Sequence, residues 1–161
     1  SSYIVRLLSI LIEAVTEQVP GFEATLENGE KVQPYDASTD TMIEGLRTIA
    51  CQTRKLKVFT YGTRYVFEDP SGVQRSFDAC SLHGKRFPGM SAFRGDDLVV
   101  QQTVRNIEEF PAFLQRIVEE IESKDLTCIS IFCRGGHHRS VVSAELLKHL
   151  YDSVEVVHLS L

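Results

Sequence analysis

What the sequence does not contain narrows it first. No run of apolar residues approaches the roughly 20 that a helix needs to cross a bilayer. The most apolar stretch, Ile4 to Val15, is broken by Arg6 and Glu13, so neither a signal segment nor an anchor is read there, and no membrane partner is expected. The four cysteines, Cys51, Cys80, Cys128 and Cys133, form no CxxC pair, which removes the zinc ribbon and the redox dithiol. A reduced, cytoplasmic setting is the expectation, with a disulfide as the alternative that an even number allows. Repeats and low-complexity tracts are absent. An excess of positive charge is absent too: a net charge of −5 argues against a uniformly basic nucleic-acid surface. The chain lacks an initial Met, and its opening Ser-Ser-Tyr reads as an excised or processed piece.

What is present suits one domain. With 161 residues and 43% hydrophobic content the chain can bury one real core but does not promise two, so residues 1–161 are read as a single domain. Its charge is uneven. Between Arg47 and Arg94 nine basic residues (Arg47, Arg54, Lys55, Lys57, Arg64, Arg75, Lys85, Arg86 and Arg94) face three acidic ones, a net of +6. Such a segment suits anionic ligands or RNA phosphates, or is no more than solvated loops and strand edges.

Periodicity supplies the elements. Ile4, Leu7, Leu8, Leu11 and Val15 share one helical stripe over residues 3–18. Asn28-Gly29 between short alternating runs predicts a hairpin. A helix capped by Thr39 or Asp40 is expected to run to about Cys51, with Ile43, Leu46 and Ile49 inward. KVFTYG and RSFDA read as strands, with RYVFE a short extended or helical piece between them. Residues 83–97 read as a long loop, and Val104 to Glu122 as one long helix with Pro111 in its first turn or at a kink. CISIF, RSVVSAELLKHLY and VEVVHL then predict strand, helix and strand. The order points to right-handed crossovers around a largely parallel sheet: an α/β core over residues 57–161, with residues 1–52 an N-terminal helix, hairpin and helix. Whether that extension covers a pocket, mediates a homo-oligomer or completes the core is left open by the sequence.

In such sheets ligands gather beyond the carboxyl ends of strands. There the sequence places CRGGHHRS, residues 133–140. Gly135 and Gly136 let the backbone turn sharply and approach a ligand, and the helix that follows offers unpaired N–H groups and the positive end of its dipole. Arg139 adds a planar fork for phosphate or carboxylate, Ser140 a hydroxyl, and His137 and His138 donors whose charge follows pH. The same field favours the thiolate of Cys133. Adjacent histidines are poorly placed to share a metal ion, and no carboxylate or Cys partner is close in sequence, so neither metal nor cofactor is expected.

FCRGGHHRSVVSAE resembles the C-[TS]-G-G-x-H-R-S-V-x-x-A-E motif of the RapZ C-terminal domain family. Phe77-Asp78 with Leu82 is similar to that family's FDVRxLxNP segment, and FRGDD to its TGxD turn, so the resemblance covers about Lys57 to Leu161. It implies a sensor of a phosphorylated small molecule, glucosamine 6-phosphate in the bacterial protein, with RNA or a regulatory protein as further partners. It also implies that Cys133, Gly135, Gly136, His138, Arg139 and Ser140 line a phosphate pocket, with Asp78 beside it for a sugar amine or hydroxyl. No G-x-x-x-x-G-K-[ST] occurs, so the family's nucleotide-binding half has no counterpart among these residues. Arg134 stands where the family has a small hydroxyl residue, His137 fills a variable place, and His83-Gly84-Lys85-Arg86 replaces a Pro-rich loop. The added charge, Arg86 and Arg134 above all, suits a more anionic ligand.

A rival reading comes from spacing. Cys133 to Arg139 followed by Ser140 also spells the C-x-x-G-x-x-R-S loop of cysteine-dependent phosphatases. There the thiolate attacks phosphorus while loop N–H groups and the arginine hold the oxygens. Asp97 or Asp96, and less plausibly Asp69, would supply the proton.

Overall fold

The computed structural model describes residues 24–25, 31–32, 37–84, 86 and 89–161. The helix expected over residues 3–18 and the Asn28-Gly29 turn lie outside these. The strands flanking that turn do pair antiparallel, β1 (Ala24–Thr25) with β2 (Lys31–Val32). Helix α1 (Ala37–Ile49) starts earlier than expected, so Thr39 and Asp40 lie inside it and do not cap it. Ile43 and Leu46 are buried, but Ile49 is 46% exposed and Ala50 takes the inward place. Positions 43, 46 and 50 keep the three-then-four spacing of one stripe, which puts 49 on the flank.

Four strands form the sheet: β3 (Lys55–Gly62), β4 (Arg75–Asp78), β5 (Cys128–Cys133) and β6 (Ser153–His158). They lie in the order β4-β5-β3-β6, and every pairing is parallel. Helices α2 (Leu98–Arg105), α3 (Phe110–Lys124) and α4 (Arg139–Leu147) complete an α/β fold. The single helix expected from Val104 to Glu122 is two. Asn106 closes α2, and α3 restarts at Phe110 with Pro111 in its first turn, where a missing N–H leaves no hydrogen bond unmade. RYVFE is neither strand nor helix: the N–H groups of Tyr65 and Val66 both donate to the Gly62 carbonyl, which makes a turn.

Register decides which face of the sheet carries the core. Val58 pairs with Ile129 and Phe77 with Ile131; these four, with Thr60 beside them, are at most 1% exposed. Each fully buried aliphatic or aromatic side chain on that face contributes about 1.5–3 kcal/mol relative to exposure. With α2, α3 and α4 they form one cluster, including Val100, Phe110, Leu114, Ile117 and Leu147.

The opposite face bears the crossover from β3 to β4, residues 63–74, which holds no helix. A parallel connection of this length usually needs one. Here Asp69 does the anchoring: its carboxylate accepts from Tyr61 Oη (2.9 Å), Ser130 Oγ (2.6 Å) and Ser76 Oγ. Burial raises the Asp69 carboxyl, but these three hydroxyls outweigh it and hold the group below the ordinary carboxylate value. The first crossover therefore leaves over one face of the sheet while α4, after β5, packs on the other. Adjacent strands β3 and β5 send their chains in opposite directions, and a crevice opens between their carboxyl ends.

Candidate functional site

Gly62 ends β3 in that crevice, and Cys133 ends β5 beside it. A β-carbon on Gly62 would collide with the backbone of Gly135 and Gly136, and one on Gly136 with Gly62 and Tyr61. Gly136 also sits at φ +71°, the left-handed region that favours glycine. Thr63 N–H donates to the Cys133 carbonyl (3.0 Å) and Arg64 N–H to that of Arg134 (3.2 Å), so the two strand exits are laced together. Sequence reasoning missed Gly62. A glycine closing a strand resembles any other stop, and only the second strand exit gives it a role. Gly95 was passed over too: it donates to the His137 carbonyl (2.7 Å), and a β-carbon there would lie 2.6 Å from Val141 Cβ.

The 133–140 connection wraps around sulfur. Cys133 is 2% exposed; its Sγ accepts from Gly136 N–H (3.2 Å) and lies 3.3 Å from Ser140 Oγ. Ser140 itself is fully buried. His138 Nε2 donates to the Phe93 carbonyl (2.8 Å), which fixes the proton on that nitrogen, since a carbonyl only accepts. Burial holds His138 below the ordinary imidazole value, against the Phe93 carbonyl and with help from the Arg86 charge, so the ring is neutral near pH 7.

The expected site residues separate into two groups. Arg86, His138 and Arg139 share the wall of a cavity of about 90 Å³ with Leu82, Gly84, Met90, Thr103, Val104 and Ile107. Within the connection Cys133, Gly136 and Ser140 are buried, His137 is half-buried and Arg134 is exposed. Arg139 belongs partly to the scaffold: its Nη1 donates to the carbonyls of Cys80 and Leu82, both at 3.1 Å. Asp78 Oδ1 accepts from Cys80 N–H (2.7 Å), so it caps the turn that Arg139 braces. Burial pushes the neighbouring Cys80 thiol up to about 11, which keeps it protonated and away from nucleophilic chemistry. Asp97 accepts from Arg94 N–H (2.8 Å), and Asp96 pairs with the Arg94 guanidinium (3.1 Å). Among the described residues no group of three or more His, Cys, Asp or Glu side chains is placed to hold a metal ion.

Charge pairing sorts the basic residues. Arg47 is taken by Glu44, Arg54 by Glu122 and Asp125, Lys57 by Glu155, Arg75 by Glu120 and Arg94 by Asp96. Much of the net +6 counted along the sequence is thus neutralised in space. Arg64, Arg86 and Arg134 have no carboxylate partner among the described residues, and Arg139 uses a single nitrogen on carbonyls. Positive charge without a carboxylate partner among the described residues therefore lies on the segments that follow β3, β4 and β5.

Residues 54–160 match the family model described as the RapZ C-terminal domain. The chain is 32% identical over 127 residues to a "Nucleotide-binding protein" of Corynebacterium glutamicum, covering 70% of this chain and 40% of that one. It is 28% identical over 155 residues to a protein of the same description from Gluconobacter oxydans, covering 82% and 47%, and 30% identical over 104 residues to one from Oleidesulfovibrio alaskensis, covering 58% and 35%. The chain spans less than half the length of these curated relatives.

Proposed function

We propose that this chain, which belongs to the RapZ C-terminal domain family, binds a phosphorylated small metabolite of the amino-sugar phosphate kind and serves a sensing or regulatory role. One observation carries the reading: Arg86 and Arg139 line one cavity with His138, Arg134 lies exposed on the Gly-Gly connection that opens the helix, and none of the three guanidiniums has a carboxylate partner among the described residues. A phosphoryl group there would meet backbone N–H groups, the helix dipole and two or three guanidiniums. Neutral His138 adds polarity without adding charge, and Asp78, exposed at the end of β4, stands ready for a sugar amine or hydroxyl. The relatives' description as nucleotide-binding supports a phosphorylated ligand in general, but it belongs to longer chains, of which the match covers 35–47%. RNA, a regulatory protein or a second copy of the chain would read the bound state. RNA binding through phosphate contacts would weaken steeply with salt.

The test is thermal. Glucosamine 6-phosphate at a hundredfold its dissociation constant stabilises the native state by about 2.7 kcal/mol, a rise of roughly 5–10 °C for a domain of this size. Glucosamine without phosphate is expected to give no rise, and Arg86→Ala and Arg134→Ala to shrink it while leaving the unliganded melting temperature near the parent value. An equal shift from the phosphate-free sugar would refute the anion seat.

A second reading rests on the sulfur. Gly136 N–H and Ser140 Oγ both sit at hydrogen-bond range of Cys133 Sγ, as a thiolate requires. In that chemistry the thiolate attacks phosphorus, the P–O bond breaks, the leaving oxygen takes a proton from Asp97, and water releases phosphate from sulfur. Three features favour binding over turnover: Cys133 is buried, Arg139 is bent toward Cys80 and Leu82, and Asp97 is engaged by Arg94 N–H. Aryl phosphate turnover that vanishes in Cys133→Ser would reverse that preference.

A further inference from the structure

Two guanidiniums and an imidazole enter the wall of the cavity shared by Arg86, His138 and Arg139, and among the described residues no carboxylate does. Its volume of about 90 Å³ is well below the roughly 300–1,000 Å³ of a pocket that engulfs a small molecule. It suits the charged end of a ligand and leaves the rest outside. Helix α2 brings Thr103 to this wall as its one polar side chain, so no charge comes from that side. His138 is fastened by one nitrogen: Nε2 donates to the Phe93 carbonyl at 2.8 Å, which leaves the lone pair on Nδ1. Burial holds the imidazole below its ordinary value; the Phe93 and Met90 carbonyls oppose this, and the charges of Arg86 and His137 reinforce it.

We propose that His138 sets the charge specificity of this cavity: it takes up one proton from solvent when a phosphate monoester dianion enters beside Arg86 and Arg139, and so favours phosphate over a sulfate monoester of the same sugar. The proposal rests on the anion seat proposed above and adds its selectivity and its dependence on pH. As the fold holds it, the ring bears no charge near pH 7, since a third cation would be partly desolvated and would face like charges. A dianion reverses that balance, because its attraction for an imidazolium grows with its charge and is weakly screened where water is excluded. The proton goes to Nδ1, and Nε2 keeps its bond to Phe93 in both states. A phosphate monoester carries close to two charges above its second ionisation at roughly pH 6, whereas a sulfate monoester has no second proton to lose and carries one. Half the charge exerts half the pull. Because binding makes the ring more basic, affinity for the phosphate is highest at the low end of the range in which the dianion persists, and falls as pH rises through the bound-state value of His138. A sensor built this way answers to pH as well as to metabolite.

Titration calorimetry of the full chain with glucosamine 6-phosphate and glucosamine 6-sulfate, from about pH 6.5 to about 8.5 in buffers of different ionisation enthalpy, counts the protons that bind with each ligand. The phosphate is expected to bring a net uptake of up to about one proton near neutral pH, and to lose up to about tenfold in affinity per pH unit above it, the limit for one linked proton. The sulfate is expected to bind more weakly and with little uptake. His138→Gln keeps a donor for the Phe93 carbonyl but cannot take up a proton; it is expected to abolish the uptake, flatten the pH profile and narrow the gap between the two esters. His137→Gln is expected to keep the uptake. Should His138→Gln not fold, the imidazole resonances of the parent chain decide, since one of its five histidines must move to the charged position as phosphate is added. Phosphate binding with no proton uptake and no such movement, or uptake that survives His138→Gln, would overturn the role of His138 and leave the anion seat standing. Binding of neither ester, with inorganic phosphate silent as well, would overturn the seat and the role of His138 together.

Discussion

Replacing Gly62 by alanine adds one methyl group at the place where the two strand exits meet. The added carbon has nowhere to go: the atoms it would strike are the backbone of Gly135 and Gly136, not the tip of a flexible side chain, so relief requires the 133–140 connection to move as a unit. Overpacking of this kind costs about 1–3 kcal/mol, which for a chain of this length lowers the melting temperature by roughly 2–12 °C. Moving the connection also disturbs the Thr63 and Arg64 hydrogen bonds to the carbonyls of Cys133 and Arg134, and with them the proposed phosphate seat. The matched control is Gly45→Ala, the same chemical change in α1, where a β-carbon meets nothing within 4 Å. There the gain in helix propensity of about 0.5–1 kcal/mol raises the melting temperature. Calorimetric melting of both variants, with and without glucosamine 6-phosphate, gives the answer. A Gly62→Ala chain that melts with the parent and keeps its ligand response would refute the claim that close contact between these two loops builds the site.

Two further predictions concern buried polar groups. The Glu145 carboxylate accepts from His158 Nε2 (2.8 Å) and pairs with Lys148 (2.8 Å), and these partners hold it at about 2 rather than near 4.5. Because the folded value is depressed, the stabilisation of roughly 3 kcal/mol is present above pH 4.5 and is lost as pH falls toward 2; Glu145→Gln should lower stability at pH 7 and flatten the denaturation midpoint between those limits, and an unchanged acid slope would contradict the assignment. Gln102 is 2% exposed, and neither its Oε1 nor its Nε2 has a hydrogen-bond partner. Removing an unsatisfied buried amide is favourable, so Gln102→Leu should stabilise by about 1–2 kcal/mol in urea titration, and a loss of stability would show that the amide is satisfied.

How much of this was legible in the sequence depends on whether the cause was local. Strands β3 and β5 announce themselves as apolar runs, because buried parallel strands need apolar residues on both sides of the chain, and the edge strand β6 shows itself by its valines. The parallel sheet followed from element order, and the Gly-Gly connection from residue type. What failed was set by distant partners. The break between α2 and α3 hides under a continuous helical period, since Ile107 stays buried across the gap. RYVFE has the residues of a strand, but β5 fills the place beside β3, and Asp69 is drawn over Ser130 instead. Arg139 reads as a ligand fork, yet the carbonyls of Cys80 and Leu82, far away in sequence, claim one of its nitrogens.

The same logic bears on what the site can do. Turnover by a cysteine nucleophile needs an arginine free to follow phosphorus from ground state to transition state, and an acid free to give up its proton. In this fold both are anchored: Arg139 holds the turn after β4, and Asp97 holds Arg94 N–H at the start of α2. The cations without a carboxylate partner among the described residues, Arg64, Arg86 and Arg134, are exposed on or near the connection, a placement suited to drawing in an anion. Anchored groups inside and free charges outside is the arrangement that the proposed binding role, and not turnover, would need. Because Arg139 and His138 also fasten the connection to Cys80, Leu82 and Phe93, a ligand drawing on either one would pull directly on the segment from β4 to α2, the mechanical link that the proposed sensing role requires.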